Sequence, residues 1–549
     1  MIPGLSPQDI GLPAKFRSWR PGQLLALDRG LTSTKRFMAH SMPTGEGKGG
    51  LAVGTAMLMA KRTCFLTSTK GLQDQYQDEF HSIGLCDMRG RNNYPCSGKG
   101  SETCEEGQYT CRRNCNSYEK ARDRMIESSL VVSNYSYFML SNLYGRGMGE
   151  FDLLVCDECH DVPDEICSAM AVTVSYAEAQ KIQIRFPQGE APISSWWAWA
   201  KDVGKKAIQI LEDIKLQAEA DISDKGHVHP STAADHRFWT KISHKCISIL
   251  ASEGDLEWIV ERTGDGYKLE PIWAHQYAQK ILFMQIPKII LISATMVKKT
   301  ISLLGIPDDQ IDFYEYHSSF PARRSPVYYW EGQPLLRLDH KTPPHMFAQY
   351  MARIDNFLRT RQDRKGIIHS VSYDRARQIS DISEFGHTFI TPQSGRETAQ
   401  KVEQFKKADP PATLVSPAIT TGYDFAFSAG EYNILAKVPF LDTRGKLITA
   451  RQEKDPEYAP YITAQTIVQA HGRTMRAETD QSETAIPDDH FRWVIRQFKH
   501  LFPFWFHRLI TPIRGRIPEP PAPLPRVVAT SLPSNPSTSN VISIERTNS

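Results

Sequence analysis

The segment His40-Ser-Met-Pro-Thr-Gly-Glu-Gly-Lys-Gly-Gly50 constrains this chain more than any other stretch. It joins an apolar lead-in to a helix-like run, LAVGTAMLMA. Gly45 and Gly47 free the backbone to wrap around an anion, and the N-terminus of the following helix aims N–H groups at the same place. Lys48 adds a point charge suited to the β- and γ-phosphates of a nucleotide such as ATP. Pro43, Thr44, Gly45, Glu46, Gly47, Lys48, Gly49 and Gly50 are therefore the candidate phosphate-binding residues. A solvated glycine turn is the alternative, and Pro-Thr-Gly-x-Gly-Lys after a strand pattern argues against it. One position departs from the usual pattern. The residue after the lysine normally carries a hydroxyl that holds Mg²⁺, and here it is Gly49. The metal must then rely on water and on a carboxylate elsewhere, which makes slow hydrolysis an expectation to test.

That carboxylate has a candidate. Leu153-Leu-Val-Cys-Asp-Glu-Cys-His160 reads as an apolar strand ending in two acids and a histidine. Adjacent side chains splay apart at a strand end, so Asp157 can reach Mg²⁺ while Glu158 polarises the attacking water. Cys156 and Cys159 form a C-x-x-C, but inside this acid motif they read as small buried residues.

Strand patterns at 64–69, 130–135 and 151–156, with helical patterns between them, predict an α/β block over 37–180. Residues 170–285 read as mostly helical around a polar loop near 221–236. KIILISATM (288–296) returns to strand, and a second α/β block runs from about 320 to 510. Residues 513–549, rich in Pro, Ser, Thr and Asn, read as a disordered tail.

The length, 549 residues, allows roughly 3–4 domains. A formal charge of +3, from 65 basic against 62 acidic residues, excludes a whole-surface polyelectrolyte binder. Any nucleic-acid site must be a local basic groove. No apolar run approaches the ~20 residues that span a bilayer, so no membrane partner is expected. The first residues lack the layout of a signal peptide. The chain is thus expected to be intracellular and cytoplasmic, with its ten cysteines as thiols or ligands. Four of them, Cys96, Cys104, Cys111 and Cys115, crowd into twenty residues. Four thiolates suit zinc or an iron–sulfur cluster. Structural zinc usually uses C-x-x-C knuckles, and their absence within this group favours iron–sulfur. Cys64, Cys86, Cys167 and Cys246 read as packing residues.

In order along the chain, these motifs resemble the iron–sulfur helicases of superfamily 2, the XPD and DinG group, over most of residues 16–480. FRSWRPGQ (16–23) is similar to the adenine-sensing Q motif, with Gln23 as reader of the base. LTSTKGLQDQY (66–76) is similar to a motif whose Thr69 and Lys70 lie near the DNA backbone. DECH resembles the Walker B box, and Ser293-Ala-Thr295 the motif linking hydrolysis to DNA grip. Thr420-Thr-Gly-Tyr-Asp424 resembles motif V, and Gln469-Ala-His-Gly-Arg-Thr-Met-Arg476 motif VI. Arg473 and Arg476, at i and i+3, share one helix face and are suited to reach a γ-phosphate across a cleft.

The resemblance implies two RecA-like parallel-sheet domains, a P-loop NTPase with ATP and Mg²⁺ in the cleft between them. The first domain would comprise 1–85, 120–165 and 270–312, and the second 313–512. An insertion at 86–119 would hold a [4Fe–4S] cluster, and 166–269 would form a helical arch. Asp424 and Gln469 would join the nucleotide contacts, and Tyr135 the nucleic-acid contacts. The implied activity is 5′–3′ translocation on single-stranded DNA or a forked duplex. Gly49 keeps a catalytically weak ATP-gated subunit in play, and an RNA-stimulated ATPase is a third reading. Lys99, Arg112 and Arg113 are candidate phosphate contacts or solvated charges. Trp196, Trp197 and Trp199 read as helix packing rather than base stacking, and His227, His229 and His236 as a polar loop rather than a metal site.

Overall fold

The computed structural model describes residues 4–96, 103–107, 117–225, 228–339, 342–419, 423, 425, 427–475 and 480–520. Its first lobe opens with β1 (Phe37–Ser41), β2 (Thr63–Thr67), the short β3 (Cys86–Asp87), β4 (Leu130–Asn134) and β5 (Leu153–Asp157). β6 (Val172–Ser175), β7 (Trp258–Arg262) and β8 (Gly266–Pro271) follow, then β9 (Lys288–Ser293) and β10 (Ile311–Glu315). The second lobe holds β11 (Val327–Trp330), β12 (Lys365–His369), β13 (Phe389–Ile390), β14 (Ala412–Ser416), β15 (Tyr432–Leu435), β16 (Glu483–Ile486) and β17 (Ile510–Ile513).

Two sheets of seven strands result among the described residues, ordered β10-β1-β9-β5-β2-β4-β3 and β13-β14-β12-β15-β16-β11-β17. Every pairing given within them is parallel. β1, β2, β5 and β9 are buried along nearly all their length, as near-continuous apolar strands covered on both faces should be. The architecture is that of two RecA-like sheets, as expected.

The segment between β6 and β7 is a helical hairpin, Ile193–Lys225 against Pro230–Ala251. Trp196, Trp199, Ala200, Val203 and Ala207 bury one stripe of the first helix, and Trp239, Ile242, Cys246 and Ile249 one stripe of the second. The tryptophan run is therefore mainly packing: Trp196 and Trp199 are buried, and Trp197 donates to Ser252 Oγ at 2.9 Å. One expectation needs correction here. Of the polar loop expected near 221–236, the residues up to Lys225 and from Pro230 onward are helical, because Pro230 at the first helical turn starts a helix that carries His236. The segment is mostly helical, as expected. β6, β8 and β7 form a small antiparallel sheet at its base. His229 caps the second helix, its Nδ1 accepting from Ser231 N–H, and His227 lies outside the described residues.

Cys86–Asp87 pairs with β4, so the first residues of the 86–119 segment extend the first sheet. At the other end, β17 carries the second sheet to Ile513, which is buried, and Pro518 accepts from Arg361. The ordered fold thus continues past the expected start of the tail at 513. No described helix is long and apolar enough to cross a membrane.

Candidate nucleotide site between the lobes

A parallel sheet aligns the ends of its strands, and register here brings the motifs to one edge. Ser41 pairs with Ser293, Asp157 with Ile292, and Leu66 with Cys156. The glycine loop, the acid pair, Ser293 and Thr69 therefore leave the sheet on the same carboxyl edge, where open α/β sheets place their ligands.

Pro43–Gly47 turns from β1 into the helix Lys48–Met59, with Gly45 at φ 79° and Gly47 at φ 71°. Both are left-handed conformations that glycine adopts without strain. Glu46 is buried and does not face the cleft: it accepts from Ser319 N–H at 2.7 Å and from the Ser319 hydroxyl at 2.9 Å. Gln23 is likewise bound to the loop. Its amide nitrogen donates to the Glu46 and Gly47 carbonyls, each at 2.9 Å, and its oxygen accepts from Arg20 N–H. Gln23 was expected to read adenine; here both N–H bonds are committed to the loop, and it acts as a brace. Gly50 and Gly54 on the helix Lys48–Met59 explain why the segment from Phe16 to Gln23 docks so closely on it. A Cβ at Gly50 would stand 2.8 Å from the Phe16 ring, and one at Gly54 2.7 Å from Trp19.

Asp157 ends β5, buried at 5% exposure. Burial, with Glu158 beside it, pushes its carboxyl above the usual range, against the pull of Lys48 and of hydrogen bonds from Tyr76 and Glu158 N–H. The Tyr76 hydroxyl donates to Oδ2 at 3.0 Å. A carboxylate at this edge offers the oxygen ligands that a divalent cation such as Mg²⁺ takes. Glu158 adopts φ 49° and ψ 46°, which turns it away from its neighbour. His160, which the sequence reading gave no role, links three motifs. Its Nδ1 lies 2.7 Å from Ser293 Oγ, its Nε2 bonds the side-chain amide of Gln469, and Ser293 Oγ stands 3.4 Å from Glu158 Oε2.

The second lobe closes over this edge. A Cβ at Gly472, which caps the helix Tyr458–His471, would stand 2.9 Å from Thr44 Cγ2, so the helix end bearing Gln469 rests on the phosphate loop; Arg473 lies in the turn beyond it, not on the helix face expected from the sequence. Arg473 sits close enough to His369 to help hold its imidazole pKa low, after burial. Trp505 of the second lobe donates to Ala294 O at 2.9 Å, inside the Ser293–Thr295 motif. Thr300 and Tyr461 join hydroxyls at 2.8 Å across the same seam. Arg476, Thr420, Thr421, Gly422 and Asp424 lie outside the described residues.

The nucleic-acid candidates divide. Thr69 and Lys70 are exposed at the end of β2, where Thr69 caps a helix and Lys70 reaches Asn93. Tyr135 is overturned as a contact. It is fully buried, and its hydroxyl donates to Asp157 O at 2.7 Å, so it braces the acid strand and cannot stack on a base. Lys99, Arg112 and Arg113 are outside the described residues, as are Cys111 and Cys115. Cys96 and Cys104 each follow one residue of the antiparallel bridge Pro95–Thr103 and leave it in opposite directions, with Cys104 N–H bonded to Tyr94 O at 2.8 Å. Arg91 donates to Cys104 Sγ at 3.4 Å, a cation suited to a thiolate ligand. Among the described residues no group of three or more metal-ligating side chains assembles. Cys156 and Cys159 are fully buried, as expected of packing residues.

The family model described as the res subunit of type III restriction enzymes matches residues 17–186. No curated protein matches the chain by sequence. Among solved structures it is similar to an XPD helicase at 12% identity and TM-score 0.55, covering 90% of this chain and 99% of that one. S. tokodaii Xpd4 matches at 14% identity and TM-score 0.52, over 87% and 98% of the two chains. An apo XPD structure matches at 13% and 0.51, over 90% and 100%. The chain is thus XPD-like in fold, two parallel-sheet lobes with a phosphate loop in the cleft where they meet.

Proposed function

We propose that this chain is an ATP-hydrolysing helicase that moves 5′ to 3′ along single-stranded DNA and opens forked duplexes. The observation that carries this reading is the seat of Gly472 on Thr44, which sets the Gln469–Arg473 segment of one lobe against the phosphate loop of the other. In this reading ATP lies between them. Lys48 and the helix N-terminus bind its phosphates, Glu158 orients the attacking water, and Arg473 with Arg476 neutralises the developing charge from across the cleft. Asp157 would hold Mg²⁺, which when bound offsets phosphate charge. The arginines gain their phosphate partner only when the lobes are closed, so loss of the γ-phosphate removes the force that closes them. The link Glu158–Ser293–His160–Gln469 is a physical route for that change. Thr69 and Lys70 would touch the nucleic-acid backbone, with the 166–269 segment arching over it.

The same reading gives Cys96, Cys104, Cys111 and Cys115 a [4Fe–4S] cluster. It is supported by the all-thiol set and by the Arg91–Cys104 contact. Such a cluster would stiffen an insertion that separates strands.

ATP turnover with single-stranded DNA, with RNA and without either tests the activity and the choice of nucleic acid. Duplexes with 5′ or 3′ tails test direction. We expect stimulation by DNA, unwinding from 5′ tails, and loss of both in Lys48→Ala. Turnover indifferent to DNA and to Lys48→Ala would refute the motor. Anaerobically purified protein should be brown, and colourless protein with one equivalent of zinc would refute the cluster.

A further inference from the structure

Position 49 lacks the hydroxyl that ordinarily follows the loop lysine, yet the space beside it is not empty. A Cβ built on Gly49 would have the Tyr76 ring as its neighbour, with both Cζ and the hydroxyl oxygen at 3.7 Å. Tyr76 is buried at 4% exposure, and the same hydroxyl donates to Asp157 Oδ2 at 3.0 Å. A phenol oxygen thus lies between the missing side chain and the carboxylate that the metal needs.

The arrangement is built rather than incidental. Gln73, Tyr76 and Phe80 form the buried face of the helix Lys70–Phe80. Gln73 fixes its N-terminal end by donating to Met88 O at 3.1 Å. Phe80 fixes the other end by stacking on Phe16 at 5.3 Å. Tyr76 sits between these anchors with its ring tilted against those of Phe65 and Phe80. A Cβ at position 49 would meet the phenol in ordinary van der Waals contact, so a serine fits there.

We propose that Tyr76 is a positioning residue that replaces the absent loop hydroxyl, holding the Asp157 carboxylate for the divalent cation of a bound nucleotide. The proposal rests on the nucleotide reading above. The phenol reaches the same place from a different element, so Gly49 is compensated from the second turn of the helix Lys70–Phe80 rather than from the loop.

The test uses the full chain with its cluster and a fluorescent ATP analogue, titrated with and without Mg²⁺. Tyr76→Phe deletes one oxygen and leaves the ring. It should raise the Mg²⁺ concentration for half-maximal nucleotide binding roughly tenfold, the scale of one lost hydrogen bond. Affinity measured without Mg²⁺ should stay within about twofold, a scale well below one hydrogen bond. Gly49→Ser in the Tyr76→Phe background should restore most of the Mg²⁺ dependence, whereas Gly49→Ser alone should change it little. An unchanged Mg²⁺ requirement in Tyr76→Phe would overturn the proposal. So would a loss of affinity equal with and without the metal, or a Gly49→Ser effect identical in both backgrounds. Nucleotide binding abolished in Lys48→Ala but intact in wild type shows separately that the site itself is correctly read.

Discussion

Glu158 occupies a left-handed backbone conformation, φ 49° and ψ 46°, that a residue with a Cβ adopts at a cost of ~1 kcal/mol or more. The strain separates it from Asp157 so that the two acids serve different partners. Asp157 turns toward Tyr76 and Lys48, while Glu158 turns toward Ser293 and His160. Glu158→Gln preserves shape and hydrogen bonding and removes only the base. ATP turnover should fall ~10²–10⁴-fold while nucleotide affinity stays near wild type. Equal losses in binding and turnover would place Glu158 among the structural groups instead. His160→Ala tests the link behind it. Removing the ring severs Gln469 from Ser293, so stimulation of turnover by DNA should drop more than basal turnover does.

At the scale of elements, the lobes are joined by the helix Lys446–Lys454. Its Arg451 is buried at 4% exposure and crosses to the first lobe, donating to Asp164 at 2.9 Å and to Ile272 O at 2.8 Å. Lys454 and Lys446 pair outside it with Glu257 and Glu190 at 2.5 Å and 2.6 Å. The outer pairs are exposed and contribute little. Arg451→Ala should therefore cost ~1–3 kcal/mol in lobe docking, seen as faster hydrogen exchange along this seam, while Lys446→Ala changes nothing measurable. The short motifs were legible because each is a run of neighbours whose chemistry is local: the glycine loop, Asp157–Glu158 and Gln469–Arg473. What depends on the facing of an element was not legible. Gln23 and Tyr135 are polar residues at suggestive places, and only the packing of their elements shows one turned onto the loop and the other sunk in the core. β6, β7 and β8 escaped notice for a related reason. They are short, and β6 finds its partner only after the whole helical hairpin, so no local pattern announces the pairing.

Across the whole molecule, three buried histidines make both lobes sensitive to acid. Burial lowers His40 in β1 from 6.5 to about 3, with Arg29 and Lys288 adding to the effect. His369 at the end of β12 falls to about 3 through burial and Arg473, and His471 at the lobe seam to about 4 through burial. The unfolded chain takes up these protons near pH 6.5 and the folded one does not. Stability is thus fully present above 6.5 and lost as pH falls toward the folded values, at about 1.4 kcal/mol per pH unit for each histidine. Glu165 acts in the opposite sense. Its carboxyl is pushed up to about 7 by burial and by Asp161 and Asp164, so protonation stabilises the fold as pH falls from 7 to 4.5. Below 4.5 that offset is complete while His40 and His369 still lose ground. The melting temperature should therefore decline from pH 6.5 to 4.5 more gently than three unopposed histidines would make it, and fall fastest between pH 4.5 and 4, where all three lose ground without the Glu165 offset. His40 bonds the Tyr316 hydroxyl and His471 bonds Ser325 and Thr484, contacts a glutamine can partly keep. His40→Gln with His471→Gln should lower stability at pH 7.5 but flatten its fall in acid, because neither replacement takes up a proton. A double variant whose melting temperature drops as steeply as that of the wild type would show that the acid sensitivity arises from other groups.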